Sequence, residues 1–552
     1  MRRGRGVARL AESATRLSSR TVDPARARRT SPTEEVAMTT PSSVPHRPRR
    51  RLQLIAAMAV AAVALSTGPV PGAAVAAAAP ALVPSPAITV PPAGTHGFPF
   101  LAEAENLAAA GYTESEYFLS GVASSYVGLG VLGPSGRWPV AVAGRAAYRT
   151  RMLVRRPADP ARFNGTVVVE WLNVSGQVDL SPDYWFAHDE LLRAGYAWVG
   201  VSAQKVGVDG GIGDLPGLRQ WDPARYATLS HPGDQFSYDI FSQAGQALRT
   251  PDGPNPLAGL DIRTVLADGE SQSALRMTTY VNAVHPVAQV YDGFLIHSNS
   301  ALAAPIDARG LGMPPAVRIR TDLQQPTFVV LTETDVVGHA PARQPDTATV
   351  HTWELAGTAH GDQWALDLGD PTLRRSLGSQ TPAPDCPAGS APPNDGPGHY
   401  GVAAALAHLT TWAQGGQAPP AASPVTVLGG VVIRDATTGL ARGGLRLPDV
   451  TVPTRTLSGL RAIGGGPFCG LYGAHDPWNA DADGWDRHDA GDPSDPVAPV
   501  SPEPDLTALY PTHARYVAAV RAAADAAVAA GYLLPPDAAQ IVATAQASPI
   551  GG

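Results

Sequence analysis

Lysine is almost missing from this 552-residue chain: Lys205 is the only one, and every other basic side chain is an arginine. That skew, together with abundant Ala, Gly and Pro, follows high-GC coding and carries no functional signal. Cysteine is nearly as scarce, with only Cys386 and Cys469, and no zinc-type ligand spacing or phosphate-cradling glycine loop occurs. Net positive charge is missing from most of the chain as well. Residues 1–51 carry thirteen arginines against four acids, so the formal charge of −7 leaves about −16 on the remainder. An acidic chain of this kind excludes nucleic acid as a partner, because phosphate binding needs clustered cations.

A membrane-spanning run is not evident either. Arg49-Arg50-Arg51 precedes an apolar stretch, Leu52–Leu65, about fourteen residues long and too short for a comfortable span. Small residues with Ala-x-Ala sites follow between Gly72 and Ala79. This is the layout of a cleaved export signal over residues 48–79, by the general secretory or the twin-arginine route, and the expected location is extracytoplasmic. Residues 1–47 have no periodicity and are expected to be disordered or a mis-annotated extension, with Met38 available as a start. Residues 80–97, rich in Pro and Ala, are expected to be a linker.

The regular part is expected over 98–552. Tyr112–Phe118 and Tyr148–Arg156 are expected as early strands, the second alternating as a strand with one wet face does. Val167–Leu172 is a β-branched buried strand, and Tyr196–Ser202, Val290–Ile296, Thr327–Thr332 and Val350–Leu355 are expected as further strands, separated by helical stretches such as Pro182–Arg193 and Gln235–Leu248. Strands alternating with helices predict a mostly parallel central sheet with helices on both faces, and working residues beyond the carboxyl ends of the strands. The segment from Gly207 to Pro232 is expected to be a long binding or lid loop, 371–397 an irregular insertion, and 420–552 a C-terminal extension ending in a helical stretch, Ala508–Gly531.

One short segment organises the rest. Val265-Leu266-Ala267 leads through Asp268-Gly269-Glu270 to Ser271, and the pattern turns helical from Gln272. A serine at a strand-to-helix turn, flanked two residues away by small residues, is the layout of a nucleophile elbow, although Ser273 stands where glycine is usual. Serine is also a favoured helix N-cap, a competing role for Ser271. Serine nucleophiles need a base and a group to orient it. Thr332-Glu333-Thr334-Asp335 follows one strand and Gly357-Thr358-Ala359-His360 the next, giving the order serine, acid, histidine of an α/β-hydrolase. Asp335 is the expected acid on position, with Glu333 the alternative. Expected oxyanion donors are the amide of Gln272 and one from Leu172 or Asn173, whose side chain could instead hold its loop.

The strings Val169-Glu170-Trp171-Leu172-Asn173-Val174-Ser175-Gly176, Gly195-Tyr196-Ala197-Trp198-Val199-Gly200-Val201-Ser202-Ala203-Gln204, Gly269-Glu270-Ser271-Gln272-Ser273 and Trp353-Glu354-Leu355-Ala356-Gly357-Thr358-Ala359-His360 resemble bacterial alpha/beta hydrolase domain-containing proteins. The resemblance runs from about residue 90 to the C-terminus and implies an α/β-hydrolase fold with Ser271 and His360 as catalytic residues.

Together these features predict an exported serine hydrolase acting on a small-molecule or lipid-like carboxylic ester. The alternatives on the same scaffold are a catalytically silent binding or envelope-associated protein, or an acyltransferase using the same triad. No cofactor and no metal are expected: Asn479-Ala480-Asp481-Ala482-Asp483-Gly484 begins like a calcium loop, but Ala490 stands where the bidentate acid belongs. Trp171, Trp185, Trp221, Phe236 and Trp364 are candidates for an apolar substrate pocket or for core packing. In an exported chain the even pair Cys386 and Cys469 suggests one disulfide, tying the segment after His360 to the C-terminal part; two separate buried thiols are the other reading.

Overall fold

The computed structural model describes residues 83–552, apart from 212, 214, 309–312, 380–385, 387–389, 461–467 and 479–503. The N-terminal extension, the export-signal segment and the Asn479–Gly484 loop therefore lie outside the described residues.

Nine strands build the main sheet: β1 (Ala87–Thr89), β2 (Tyr112–Gly128), β3 (Val140–Pro157), β4 (Thr166–Trp171), β5 (Ala197–Val201), β6 (Thr264–Glu270), β7 (Gly293–His297), β8 (Thr327–Thr332) and β9 (Val350–Leu355). Their spatial order is β1-β2-β3-β5-β4-β6-β7-β8-β9. From β5 through β9 every pairing is parallel, whereas β1, β2 and β3 join antiparallel at one edge. The chain leaves β4 to one side for β5 and returns to its other side for β6. That reversal makes a crevice at the carboxyl ends of β4 and β6, where open α/β sheets bind their ligands.

The central strands are apolar on both faces because both faces are covered. Val167, Val169, Val265, Ala267, Phe294 and Ile296 join one core cluster, while Val168, Leu266, Leu295 and Val330 join the other. The helix Ser237–Arg249 packs into the first cluster through Ile240 and Phe241, and Pro182–Arg193 and Gly398–Ala413 pack into the second through Leu191 and Leu406. Val520, Ile541 and Val542, from the C-terminal helices His513–Ala529 and Pro535–Ala547, join that second cluster too.

Four expectations change. Residues 87–89, assigned to a linker by composition, form the edge strand β1 against Phe118–Ser120. The Tyr148–Arg156 stretch has no wet face: Arg151 is buried between Glu116 and Asp179, and Arg155 between Glu103 and Glu114, so the alternation is that of buried ion pairs. Part of the 371–397 insertion is helical, because Gln363–Leu377 continues through Pro371 with Leu373 and Leu377 buried. The Gly207–Pro232 segment contains the short helices Leu218–Trp221 and Pro223–Tyr226, packed on buried Leu218, Trp221 and Tyr226.

Candidate active site

The strand-to-helix turn is strained at Ser271. Ser271 has φ 58° and ψ −118°, a conformation that costs on the order of 1–3 kcal/mol for a residue with a Cβ. The turn is held by the Ser271 amide, which donates to the His297 carbonyl at 3.0 Å. Ser273 in place of glycine is accommodated by Gly269. A Cβ added there would stand 3.1 Å from the Cβ, carbonyl carbon and carbonyl oxygen of Ser273. The strand-side glycine thus leaves the room that the helix-side serine fills. Ser271 is the cap residue of the helix Gln272–Thr279 but makes no side-chain capping bond.

Its hydroxyl points instead to His360. Ser271 Oγ lies 2.7 Å from His360 Nε2, and His360 Nδ1 lies 2.8 Å from Asp335 Oδ1. The three residues follow β6, β9 and β8, each beyond a carboxyl end. Asp335 is fixed in turn by Thr332, whose hydroxyl and amide donate to Oδ2 at 2.6 and 3.2 Å. Burial pushes the Asp335 carboxyl up, but the His360 charge, its hydrogen bond and that of Thr332 together hold it below the usual range.

The alternative acid, Glu333, is not brought to His360. Its carboxylate accepts from the Gly357 amide at 3.0 Å and the Gly459 amide at 3.1 Å and pairs with Arg434. It is fully buried and ties the two strand-end loops to the 455–459 segment.

A residue not foreseen from sequence completes the group. Glu270 Oε1 lies 3.0 Å from His360 Nε2, the nitrogen that also faces Ser271. Burial opposes a charge on His360, yet the Glu270 and Asp335 carboxylates on either side hold it well above the ordinary histidine range. Beneath the elbow, burial also pushes the carboxyls of Glu170, Asp183 and Asp268 well above theirs. His297, bonded through Nδ1 to Asp183 at 2.8 Å, is pushed down to about 4, chiefly by burial. The sequence signal for Glu270 is its place beside Ser271, which does not say where the side chain points.

The expected oxyanion donors divide. Gln272 opens the elbow helix, so its amide is among those without an intrahelical acceptor. The other two backbone amides are committed: Leu172 N–H donates to the Val201 carbonyl at 3.2 Å and Asn173 N–H to the Leu180 carbonyl at 2.9 Å. The Asn173 side chain does hold its loop. Oδ1 accepts from the Ser175 amide at 2.7 Å, and Nδ2 donates to the Glu270 carbonyl at 3.1 Å and to Oε2 at 3.2 Å.

A sequence profile described as an alpha/beta hydrolase domain matches residues 83–543. The chain belongs to the alpha/beta hydrolase domain family. A comparison with curated protein sequences finds no match. Among solved structures, the hydrolase is similar to an α/β serine hydrolase from Xanthomonas campestris described as lacking a lid, at 13% identity over 47% of this chain and 96% of that one, TM-score 0.25. It is also similar to a glucuronoyl esterase from Solibacter usitatus, at 11% identity over 53% and 88%, TM-score 0.26. Likeness at this level bears on neither substrate nor mechanism.

In this hydrolase the Ser271 hydroxyl opens onto a cavity of about 140 Å³. Leu180, Trp185, Phe186, Leu373, Phe468 and Tyr472 are among its walls. Of the five aromatic candidates only Trp185 lines it. Trp171 packs on Tyr238 and Phe241, Trp221 on Phe100, and Trp364 stacks on His399, while Phe236 lies in the core. One wall is tethered: Cys469, bonded to Cys386, begins the turn Cys469–Tyr472. Among the described residues no group of three or more His, Cys, Asp or Glu is placed to hold a metal ion, and no helix is long and apolar enough to cross a membrane.

Proposed function

We propose that this protein is an exported serine hydrolase that cleaves small, uncharged carboxylic esters through an acyl-enzyme on Ser271. The observation that carries the reading is the continuous hydrogen-bonded line from Ser271 Oγ through His360 to Asp335 at the head of an apolar cavity. Ser271 attacks the ester carbonyl while His360 Nε2 takes its proton, and Asp335 fixes the imidazole through Nδ1. The amide of Gln272, with the positive end of the elbow helix behind it, faces the developing oxyanion. His360 then returns the proton to the leaving alcohol, and water repeats the sequence to release the acid.

The cavity supports the substrate class. An apolar void of about 150 Å³ holds a benzene ring, so a space of about 140 Å³ suits a short aliphatic or single-ring group better than a long acyl chain. Export is supported by the Cys386–Cys469 disulfide, since such bonds persist in oxidising compartments.

Nitrophenyl acetate, butyrate, benzoate and dodecanoate are the test series, with Ser271→Ala as control. Acetate to benzoate should turn over and dodecanoate should not; the control should lose on the order of 10⁶-fold in turnover. A fluorophosphonate probe that leaves the wild type unlabelled, or still labels Ser271→Ala, would overturn the reading.

A further inference from the structure

We propose that Glu270 is a positioning residue that shares a proton with His360 Nε2 in the resting enzyme, and so sets the pH above which the base is free. The proposal rests on the triad reading above and starts from two distances. Nε2 lies 2.7 Å from Ser271 Oγ and 3.0 Å from Glu270 Oε1. With Nδ1 donating to Asp335, a neutral imidazole offers only a lone pair at Nε2, and that lone pair would face a carboxylate oxygen. Two acceptors at hydrogen-bond distance repel unless a proton lies between them. The carboxylate is not free to turn away, because Asn173 Nδ2 donates both to Oε2 and to the Glu270 carbonyl.

One proton therefore sits on the Glu270–His360 pair, whichever atom carries it. With Glu270 and Asp335 ionised and His360 protonated, the three groups together carry one negative charge; once the proton leaves to solvent they carry two, and Nε2 can accept from Ser271. The same carboxylate then favours the imidazolium that forms when Ser271 attacks. Glu270 thus limits activity on the acid side while stabilising the charged base in the reaction. The other charged or titratable groups acting on the pair are Asp335, His297, Asp183 and Tyr472, with Asp362 two residues beyond His360. Of these only Asp335 is hydrogen-bonded to His360, and through the other nitrogen.

The test is Glu270→Gln, which keeps the shape and removes the charge, with Glu270→Asp as the charge-retaining partner. In the kcat/KM profile the acid limb of Glu270→Gln should move to lower pH by about one unit or more, the size expected for losing an adjacent opposite charge, while Glu270→Asp stays nearer the wild type. The titration of the His360–Asp335 bridging proton by NMR, assigned with His360→Asn, should move by the same amount. An NMR midpoint equal in wild type and Glu270→Gln, or a wild-type midpoint at or below about 6.5, overturns the proposal. Because this titration needs no turnover, it also separates the two readings. A midpoint that moves in a protein hydrolysing no ester supports the shared proton and removes the esterase.

Discussion

Glu333 and Asp335 lie two residues apart on one strand-end loop and serve opposite purposes: Asp335 Oδ1 meets His360 Nδ1 at 2.8 Å, while Glu333 is sealed beneath the loop against Arg434. The two carboxylates should therefore fail differently. Asp335→Asn leaves the imidazole with the wrong tautomer and should lower turnover on the order of 10⁴-fold at little cost in stability. Glu333→Ala leaves Arg434 without its carboxylate and two backbone amides without their acceptor, and breaking a buried pair in this way costs about 3–5 kcal/mol. Its turnover per folded molecule should stay close to wild type. Melting temperature and fluorophosphonate active-site titration together check both.

The position of Cys469 makes a second prediction. Its bond to Cys386 closes a loop with a sequence separation of 83 residues, which chain entropy alone values at about 4–5 kcal/mol. The turn it anchors carries Leu471 and Tyr472 on the cavity wall, with Phe468 just before it. Reduction, or Cys386→Ser with Cys469→Ser, should lower the melting temperature. It should also raise KM for benzoate esters more than it lowers kcat, because the acyl wall loosens while Ser271, His360 and Asp335 sit on strand ends that the bond does not touch. Equal kinetics in oxidised and reduced protein would show the wall to be held by packing.

Asp335 is legible in the sequence and the role of Glu270 is not, because a sequence encodes the ends of strands and not the directions of side chains. Strands β8 and β9 occupy the expected ranges, Thr327–Thr332 and Val350–Leu355, because the largely apolar runs Phe328–Leu331 and Trp353–Leu355 are bounded by turn residues. The helix Pro182–Arg193 is equally plain, with proline at its start and Gly195 just beyond its end. Strand-end position then placed Ser271, Asp335 and His360 together. Side-chain direction was not legible. Nothing local says that Glu270 turns toward His360, that Glu333 turns away, or that the Leu172 and Asn173 amides are taken by Val201 and Leu180. The pairing of Arg151 and Arg155 with distant acids likewise mimics a solvent-facing alternation until the partners are seen.

Asp362 carries a pH prediction for stability. It caps the helix Gln363–Leu377 through Oδ1, which accepts from the Ala365 amide at 2.9 Å, while Oδ2 is buried without a partner among the described residues. Burial pushes the carboxyl up to about 8, against the lowering effect of that bond. A folded-state value above the unfolded one means that the native protein binds the extra proton. The associated stability is complete below about pH 4 and is lost as pH rises toward 8. Asp362→Asn keeps the capping acceptor and does not titrate, so its melting temperature relative to wild type should climb from pH 4 to 8 and level off above. A difference independent of pH would mean that the carboxyl is ionised throughout.

Gly369 and Trp185 meet on the wall of the cavity. Gly369 lies in the middle of the helix Gln363–Leu377 and lines the cavity, and a Cβ there would stand 3.0–3.1 Å from three ring atoms of Trp185. Gly369→Ala should gain about 0.8–1 kcal/mol of helix propensity and lose part of it to that contact, because the ring must yield by a few tenths of an ångström. Trp185 is itself a wall residue, so its displacement narrows the cavity. The ratio of kcat/KM for acetate over benzoate esters should therefore rise in Gly369→Ala and fall in Trp185→Phe, where the smaller ring opens the same wall. If both variants shift the ratio in one direction, Trp185 does not bound the acyl group, and the ring-sized space lies toward Phe468 and Tyr472 instead.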